Sequence, residues 1–510
     1  MSPRRIRHGH ARGRARGSRT NDETYAMGRS GMKRLRLAVG CTVAAITTVM
    51  IGAPPLIEMA SAQTAAAVNN SARGGQPVVD PGVRGGAPGA GGPLPGLSEE
   101  QLAFFAATSA AFAQVQAVVP DGLGPRFNLD GCGGCHAYPS QGGTSPPTNP
   151  QIAVATKDGA RNVIPPFINL HGPIRESRFV RNPDGSADGG VHNLFVITGR
   201  SDAASCNIKQ PDFAAALRAN NITFRIPTPT FGLGLVEAVP DDALAAALAA
   251  DAYRKRSLGI SGRFNRSAND GTITRFGWKA QNKSLLVFAG EAYNVEQGVT
   301  NELFPNERET DPTCRLTAVP EDQTPLEPIS PSTGSPSADL ASTTTLFAGF
   351  MRLLAPPTPA SKTTVVASAA STTGVALAST SASVARGRQV FADIGCDACH
   401  LKNLTTGHSS INGLDRVTFE PLSDFALHDM GWGLADGVSQ GLATGREFRT
   451  APLWGVGQRL FFLHDGRASN LIEAIEQHAS PESEANVVIN NYNHLLAADK
   501  QALINYLRSL

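Results

Sequence analysis

The sequence predicts a mainly α-helical chain with minor β structure and long irregular loops, divided into two domains of which the first carries a large insertion. Three observations carry this expectation. A Cys-x-x-Cys-His pentapeptide occurs twice, at Cys132-Gly-Gly-Cys135-His136 and at Cys396-Asp-Ala-Cys399-His400, and each follows a run with helical spacing of apolar residues. The chain closes on a further such run, Asp499 to Leu510, with Leu503, Ile504 and Leu507 on one face. Between these landmarks, 52 Gly, 35 Pro and an aromatic content of only 6% favour turns and loops over dense packing throughout.

Residues 1–62 read as an export signal. Arg-rich sequence precedes an uncharged apolar run from Leu37 to Gly52, and Ala60-Ser61-Ala62 supplies an A-x-A cleavage pattern. The run is short for a membrane span, so a membrane is expected only through an uncleaved signal. Translation could start at Met27 or Met32. The expected location is the periplasm or the extracellular space. Residues 1–62 hold eleven basic and three acidic side chains, so a chain of formal charge +2 becomes about −6 once they are removed. The basic balance belongs to the signal, and no nucleic-acid partner is implied.

Residues 63–96 are rich in Ala, Gly and Pro and read as a disordered linker. Order is expected from Ser98, where Ser98-Glu-Glu-Gln101 forms a capping box with Leu97 and Leu102 as a hydrophobic staple. The helix that follows carries Phe104, Phe105 and Phe112. A first domain spans 97–325, with a β-prone run at 194–198 and a helical run at 241–254. A Pro/Ser/Thr-rich linker spans 326–383 and contains one short helix at about 339–355. A C-terminal domain spans 384–510, and Val390, Phe391 and Ile394 mark its first helix.

Covalent attachment of a haem needs two thiols on one turn and an adjacent His that reaches the iron, which is what C-x-x-C-H supplies. Two complete motifs in an exported chain predict two covalently bound c-type haems, held through Cys132, Cys135, Cys396 and Cys399, with His136 and His400 as iron ligands. A zinc site is the weaker reading of the same residues. A helix before the second motif and another at the chain end is the layout of a cytochrome c domain. Cys206 and Cys314 are left over. In an oxidising compartment such a pair forms a disulfide, and two buried free thiols are the alternative.

A family resemblance rests on longer segments. Phe448-Arg-Thr-Ala-Pro-Leu-Trp-Gly-Val, Phe462-Leu-His464-Asp465-Gly466 and Leu471-Ile-Glu-Ala-Ile475 resemble the segment that follows the second haem motif in bacterial di-haem cytochrome c peroxidases, as does Leu427-His428-Asp-Met430-Gly. From about residue 97 onward the chain resembles the di-haem oxidoreductase branch of these peroxidases. The blocks that carry this likeness are Phe127-Asn-Leu-Asp-Gly-Cys132, Arg225-Ile-Pro-Thr-Pro-Thr-Phe-Gly-Leu-Gly-Leu235, Gly262-Arg-Phe-Asn265, Arg275-Phe-Gly-Trp278-Lys-Ala280 and Asn301-Glu302-Leu-Phe304.

The resemblance implies a set of sites. In the peroxidases a Met fourteen residues beyond the HDG histidine ligates the second haem; counting from His464 reaches His478 instead. Asn470 and Glu473 can cap a helix start, and Leu471, Ile475 and His478 then share one face. The second haem is therefore expected to be held by His400 and His478, with Met430 as runner-up and a plain core histidine as the alternative. For the first haem, the peroxidase histidine position is occupied by Ile152, so His171, His192 or an open face remains. Glu296, Gln297 and Glu302 are the acid or amide candidates for proton movement at peroxide, against ordinary solvated acids. Trp278 is the candidate bridge between the haems, against a plain core Trp. The family's calcium finds no named residues in the sequence.

These expectations amount to an oxidoreductase, peroxidase-like, with electrons entering from an unidentified redox partner, passing the C-terminal haem, and reaching peroxide or another small oxidant at the N-terminal one. A non-catalytic electron-transfer cytochrome and an oxygenase acting on an organic substrate are the alternatives. Thiol–disulfide chemistry is disfavoured, because four of the cysteines hold haem and no redox C-x-x-C remains.

Overall fold

Helices dominate the computed structural model, which describes residues 77–326, 333–360 and 380–510. The expected export signal, the first part of the 63–96 segment and most of the Ser/Thr/Ala-rich stretch lie outside the described residues. The described residues fall in one compact unit. Among them the β-strands form four antiparallel two-stranded pairs. Two of them matter for the site: Glu176–Arg178 pairs with Thr223–Arg225, and Leu427–Asp429 with Glu447–Arg449.

The first long helix, Glu99–Ala113, starts where the capping box predicts. The Ser98 side chain accepts from the Gln101 backbone N–H while the Gln101 side chain returns to the Ser98 N–H, which satisfies two of the otherwise orphaned amides. Its Phe105 and Phe112 face the Thr343–Leu353 helix, and Phe112 and Phe350 lie with ring centroids 4.5 Å apart. The expected linker helix is thus part of the first core. Phe347, Phe350 and Met351 are buried there beside Leu285, Ala289 and Tyr293 of the Leu285–Gln297 helix. The same core takes in Phe419, Phe425 and Trp454 from beyond residue 384, so apolar packing runs across the expected domain boundary.

A second core surrounds Phe127 and Phe195, whose strands pair at Arg126–Phe127 and Phe195–Val196. Cys206 and Cys314 are joined by a disulfide at its edge. The 241–254 run divides into Asp241–Ala249 and Ala252–Ser257, because Asp251 between them takes a left-handed conformation.

In the C-terminal region the Ser381–Ile394 and Ala497–Ser509 helices cross closely. A Cβ on Gly387 would lie 1.9 Å from the Ala502 carbonyl oxygen, so only glycine permits the approach. Val390, Phe391 and Ile394 meet Leu503, Ile504 and Leu507 across this contact.

Residues 77–96 depart from the expected disorder. Asp80 makes a two-pronged ion pair with the buried Arg508 guanidinium (2.7 Å for each bond), and its carboxylate also accepts from the Leu471 amide. Arg84 is buried against Gln458 and the Thr358 carbonyl, and Leu94 pairs with the 353–354 backbone. A low-hydrophobicity segment becomes ordered here because buried polar partners from distant sequence hold it.

Candidate functional site

Both Cys-x-x-Cys-His motifs fold as single turns at the walls of cavities. The first, Cys132–Cys135, sits against the end of the Glu99–Ala113 helix. A Cβ on Gly134 would come within 2.5 Å of Leu129 Cδ2, which explains a small residue inside this motif. Cys132, Cys135 and His136 line one cavity, and Cys396, Cys399 and His400 line a second. None of these four cysteines is in a disulfide, while Cys206 and Cys314 are bonded to each other. Burial pushes the Cys132 and Cys396 thiols up to about 12.

The histidines sort by what their nitrogens touch. His136 Nδ1 lies 2.9 Å from the Gly143 carbonyl oxygen, His400 Nδ1 2.8 Å from that of Leu422, and His478 Nδ1 2.7 Å from that of Ala474. A carbonyl accepts only, so in His400 and His478 Nδ1 carries the proton and Nε2 keeps a lone pair, while His136 also meets the Thr228 carbonyl. Burial also pushes all three pKa values down, His400 to about 4. Neutral imidazole with a free Nε2 is the form that binds a metal. His478 closes the Asn470-capped Leu471–Glu476 helix, and Leu471, Ile475 and His478 all face the C-terminal cavity that His400 lines.

Three other histidines fit a ligand role less well, whereas His464 also lines the C-terminal cavity with a buried, unpartnered Nε2. His428 has both nitrogens occupied, Nε2 by Asp424 at 3.0 Å and Nδ1 by Glu484 at 2.8 Å. His171 is exposed and outside both cavities, in the turn where the Gly172 amide bonds the Asn169 carbonyl. His192 stacks on Phe179 and pairs with Asp188. Glu302 also departs from expectation. It is exposed and accepts from the backbone and hydroxyl of Thr324. Glu296 and Gln297 do line the N-terminal cavity, and Gln297 Nε2 approaches Cys132 Sγ at 3.0 Å.

The cavities suit a large planar dicarboxylate attached through sulfur. Arg449 and Arg459 line the C-terminal one, fully buried, and their hydrogen bonds go to backbone carbonyls of Gly277, Thr450 and Pro452. Burial lowers each to about 10. Among the described residues neither has a carboxylate in salt-bridge contact, and a buried cation in that position is matched by an anionic group on a bound molecule. Arg175 in the N-terminal cavity is likewise bonded only to the Asp465 and Phe167 carbonyls. A haem c, with its two propionates and two thioether positions, fits both donor sets. Among the described residues, the one cluster of three His, Cys, Asp or Glu side chains within reach of a shared ion is Cys399, Asp424 and His428. Its ligands are not the oxygen-only set calcium takes.

A family model described as "Di-haem oxidoreductase, putative peroxidase" matches residues 175–315 and 359–510. The chain belongs to this family. The matched segments of this di-haem oxidoreductase hold the whole C-terminal cavity motif and the Glu176, Arg225, Trp278 and Glu296 positions, while Cys132–His136 lies before them. No curated protein sequence matches the chain. Among solved structures, one titled "Kuenenia stuttgartiensis Hydrazine Synthase Pressurized with 20 bar Xenon" is similar at 19% identity and a TM-score of 0.20, over 33% of this chain and 55% of that one. The match thus spans about half the length of that structure.

One wall separates the two cavities of the oxidoreductase, and Trp278 lines both. Its indole N–H donates to the Ile226 carbonyl at 2.8 Å. His464 lies edge-on to it, stacks on Phe448 with centroids 4.2 Å apart, and keeps a buried Nε2 without a partner. Behind Phe448, Lys279 bonds Asp436 at 3.0 Å, and Asp436 also takes Arg225, which reaches the N-terminal cavity. Burial lowers Lys279 to about 8.

Sequence reasoning missed Glu176 and Arg178. Both line the N-terminal cavity, and Glu176 lies in hydrogen-bonding contact with Glu296. No local motif marks them. The only signal was alternation along a short strand, where Glu176 and Arg178 are two residues apart and so share a face.

Proposed function

We propose that this di-haem oxidoreductase is an exported c-type cytochrome with peroxidase-like activity, in which the N-terminal cavity is reactive and the C-terminal cavity relays electrons. The observation that carries the reading is the unequal donor sets. Three neutral histidines with free Nε2 atoms, His400, His478 and His464, line one cavity, with His464 in the wall beside Trp278, whereas the other offers His136 alone among histidines and a buried carboxyl pair beside arginines. When bound, haem would supply an iron for the oxidant in the first cavity and a one-electron store in the second. Paired strong ligands favour electron transfer, and a position left open favours chemistry.

In this reading His136 holds the iron of the first cavity through Nε2, oriented by the Gly143 carbonyl. Glu296 moves protons to and from the oxygens of a small oxidant such as peroxide. Arg175, Arg449 and Arg459 neutralise propionates. Trp278 gives the shared wall an aromatic group for electron passage. The electron donor is a small redox partner at the C-terminal side. Thioether formation at two Cys-x-x-Cys-His motifs fits delivery by the 1–62 signal to the periplasm or beyond.

A second reading, a non-catalytic electron-transfer cytochrome, is favoured by Met351, whose thioether side chain also lines the N-terminal cavity. EPR and absorption spectra of the purified holoprotein separate the two. The peroxidase reading expects a high-spin population that peroxide alters. Two low-spin haems in both redox states, indifferent to peroxide, would leave only the electron-transfer reading.

A further inference from the structure

Two acidic side chains meet in the N-terminal cavity from distant parts of the chain. Glu176 opens the Glu176–Arg178 strand, and Glu296 lies in the last turn of the Leu285–Gln297 helix. Their carboxyls are in hydrogen-bonding contact. A carboxylate only accepts, so two of them can make that contact only if one carries a proton. The neighbours decide which. Arg178 Nε donates directly to Glu176 Oε1, and Arg225 adds its charge from the paired strand. Glu296 instead receives the neutral amide of Asn128, Nδ2 to Oε2 at 2.8 Å.

The other charged groups facing the pair are Arg308, bonded to Asn193 and to backbone carbonyls, Glu291 on the same helix as Glu296, and Asp436 behind Arg225. Their arrangement agrees with the hydrogen bonds. Burial and the Glu176 charge raise Glu296 well above the carboxylate range. Burial works against Glu176 too, but Arg178, the bond to Glu296 and the charge of Arg225 together outweigh it and hold that group down. Like charges in contact push two pKa values apart in this way.

We propose that Glu176 and Glu296 act as one unit, a hydrogen-bonded carboxyl pair sharing a single proton, in which Glu296 delivers that proton to an oxygen of the small oxidant held in the N-terminal cavity and Glu176 is its positioning residue. In the transfer the Glu296 O–H bond breaks, its electron pair stays on the carboxylate, and a new O–H bond forms on the oxidant. The doubly charged pair that results faces Arg178 and Arg225 until a proton from water replaces the one given up. The choice of oxidant rests on the function proposed above; the shared proton does not.

Infrared difference spectroscopy of the full-length holoprotein reads a protonated carboxyl by its C=O stretch. The wild type is expected to show one such band at neutral pH that disappears in Glu296→Gln. It is also expected to disappear in Glu176→Gln, because Arg178 then turns to Glu296 and ionises it. Glu176→Asp restores the band, and Glu302→Gln leaves it in place. Haem content and absorption spectra report folding. If Glu176→Gln does not accumulate, Arg178→Gln serves instead, and the band then persists to higher pH than in the wild type. A spectrum unchanged by Glu296→Gln, or a band that survives Glu176→Gln, overturns the shared proton. A band that behaves as expected in a protein inert to peroxide leaves the pair standing and removes the peroxidase reading instead.

Discussion

The rings of Trp278 and His464 meet edge-on, with centroids 6.5 Å apart at an interplanar angle of 73°, in the wall common to both cavities. Trp278 is fixed there by its bond to Ile226, and the His464 backbone carbonyl accepts the Ile226 amide in return. Ile226 directly follows Arg225 of the N-terminal cavity, so one short strand end ties the two sites. Replacing Trp278 by Leu removes the aromatic group and the hydrogen bond while keeping an apolar side chain. Slower electron redistribution between the haems is expected after flash reduction, with haem content and both ligand sets retained. An unchanged rate would remove Trp278 from the path.

His478 and His428 both line the C-terminal cavity, but only His478 has a free Nε2. His478→Gly is expected to convert the second haem from low to high spin, and added imidazole should restore low spin. His428→Gln should leave the spin state alone. It strands the Asp424 and Glu484 carboxylates without their cation, at a cost of about 3–5 kcal/mol in unfolding free energy. The absorption spectrum checks the first expectation and denaturant unfolding the second. A spin change in His428→Gln alone would reverse the assignment.

The features legible in the sequence are those whose chemistry demands local spacing. The Ser98 capping box needs four residues, a haem motif five, and the face shared by Leu471, Ile475 and His478 eight. All keep that geometry in the fold because a turn or helix is enough to set it. The N-terminal cavity was less legible because its polar lining comes from paired strands and a helix more than a hundred residues apart. Counting along a family pattern found Glu296 but gave no hint of Glu176 or Arg178, and it also suggested Glu302, which faces solvent. Composition misled at residues 77–96 for a related reason. Asp80 meets Arg508 across 428 positions, a distance no window of sequence can register.

That pair sets an acid limit on stability. Burial pushes the Asp80 carboxyl up, but the bonds and charge of Arg508 together with the Leu471 and Gly82 amides outweigh it and hold the group below 3.8. The folded state therefore binds the proton less readily than the unfolded chain. The contribution is complete above pH 3.8 and is lost as pH falls through the lower folded value. Asp80→Ala leaves the buried guanidinium unpaired and uncaps Leu471 at the head of the helix leading to His478. A loss of about 3–5 kcal/mol is expected, read from urea midpoints at pH 7, together with a flatter decline between pH 5 and 3 than the wild type shows. Equal midpoints would mean that the 77–96 segment is not held through this pair.

Arg459 makes the electrostatic case for the C-terminal cavity. It is buried, lowered by that burial, and bonded to the Pro452 carbonyl. A fixed positive charge beside a redox centre favours the reduced, less positive state. Arg459→Gln keeps a donor and most of the volume but deletes the charge, so the midpoint potential of the haem proposed for this cavity should fall. A change on the order of 1.4 kcal/mol in differential interaction corresponds to about 60 mV for one electron. Propionate protonation then moves as well: without the cation its pKa rises, and the pH dependence of the potential shifts upward in the variant. Redox titration at several pH values checks both effects at once. A potential that stays fixed at every pH would show that Arg459 does not face a propionate, and the buried cation would then need a different anionic partner.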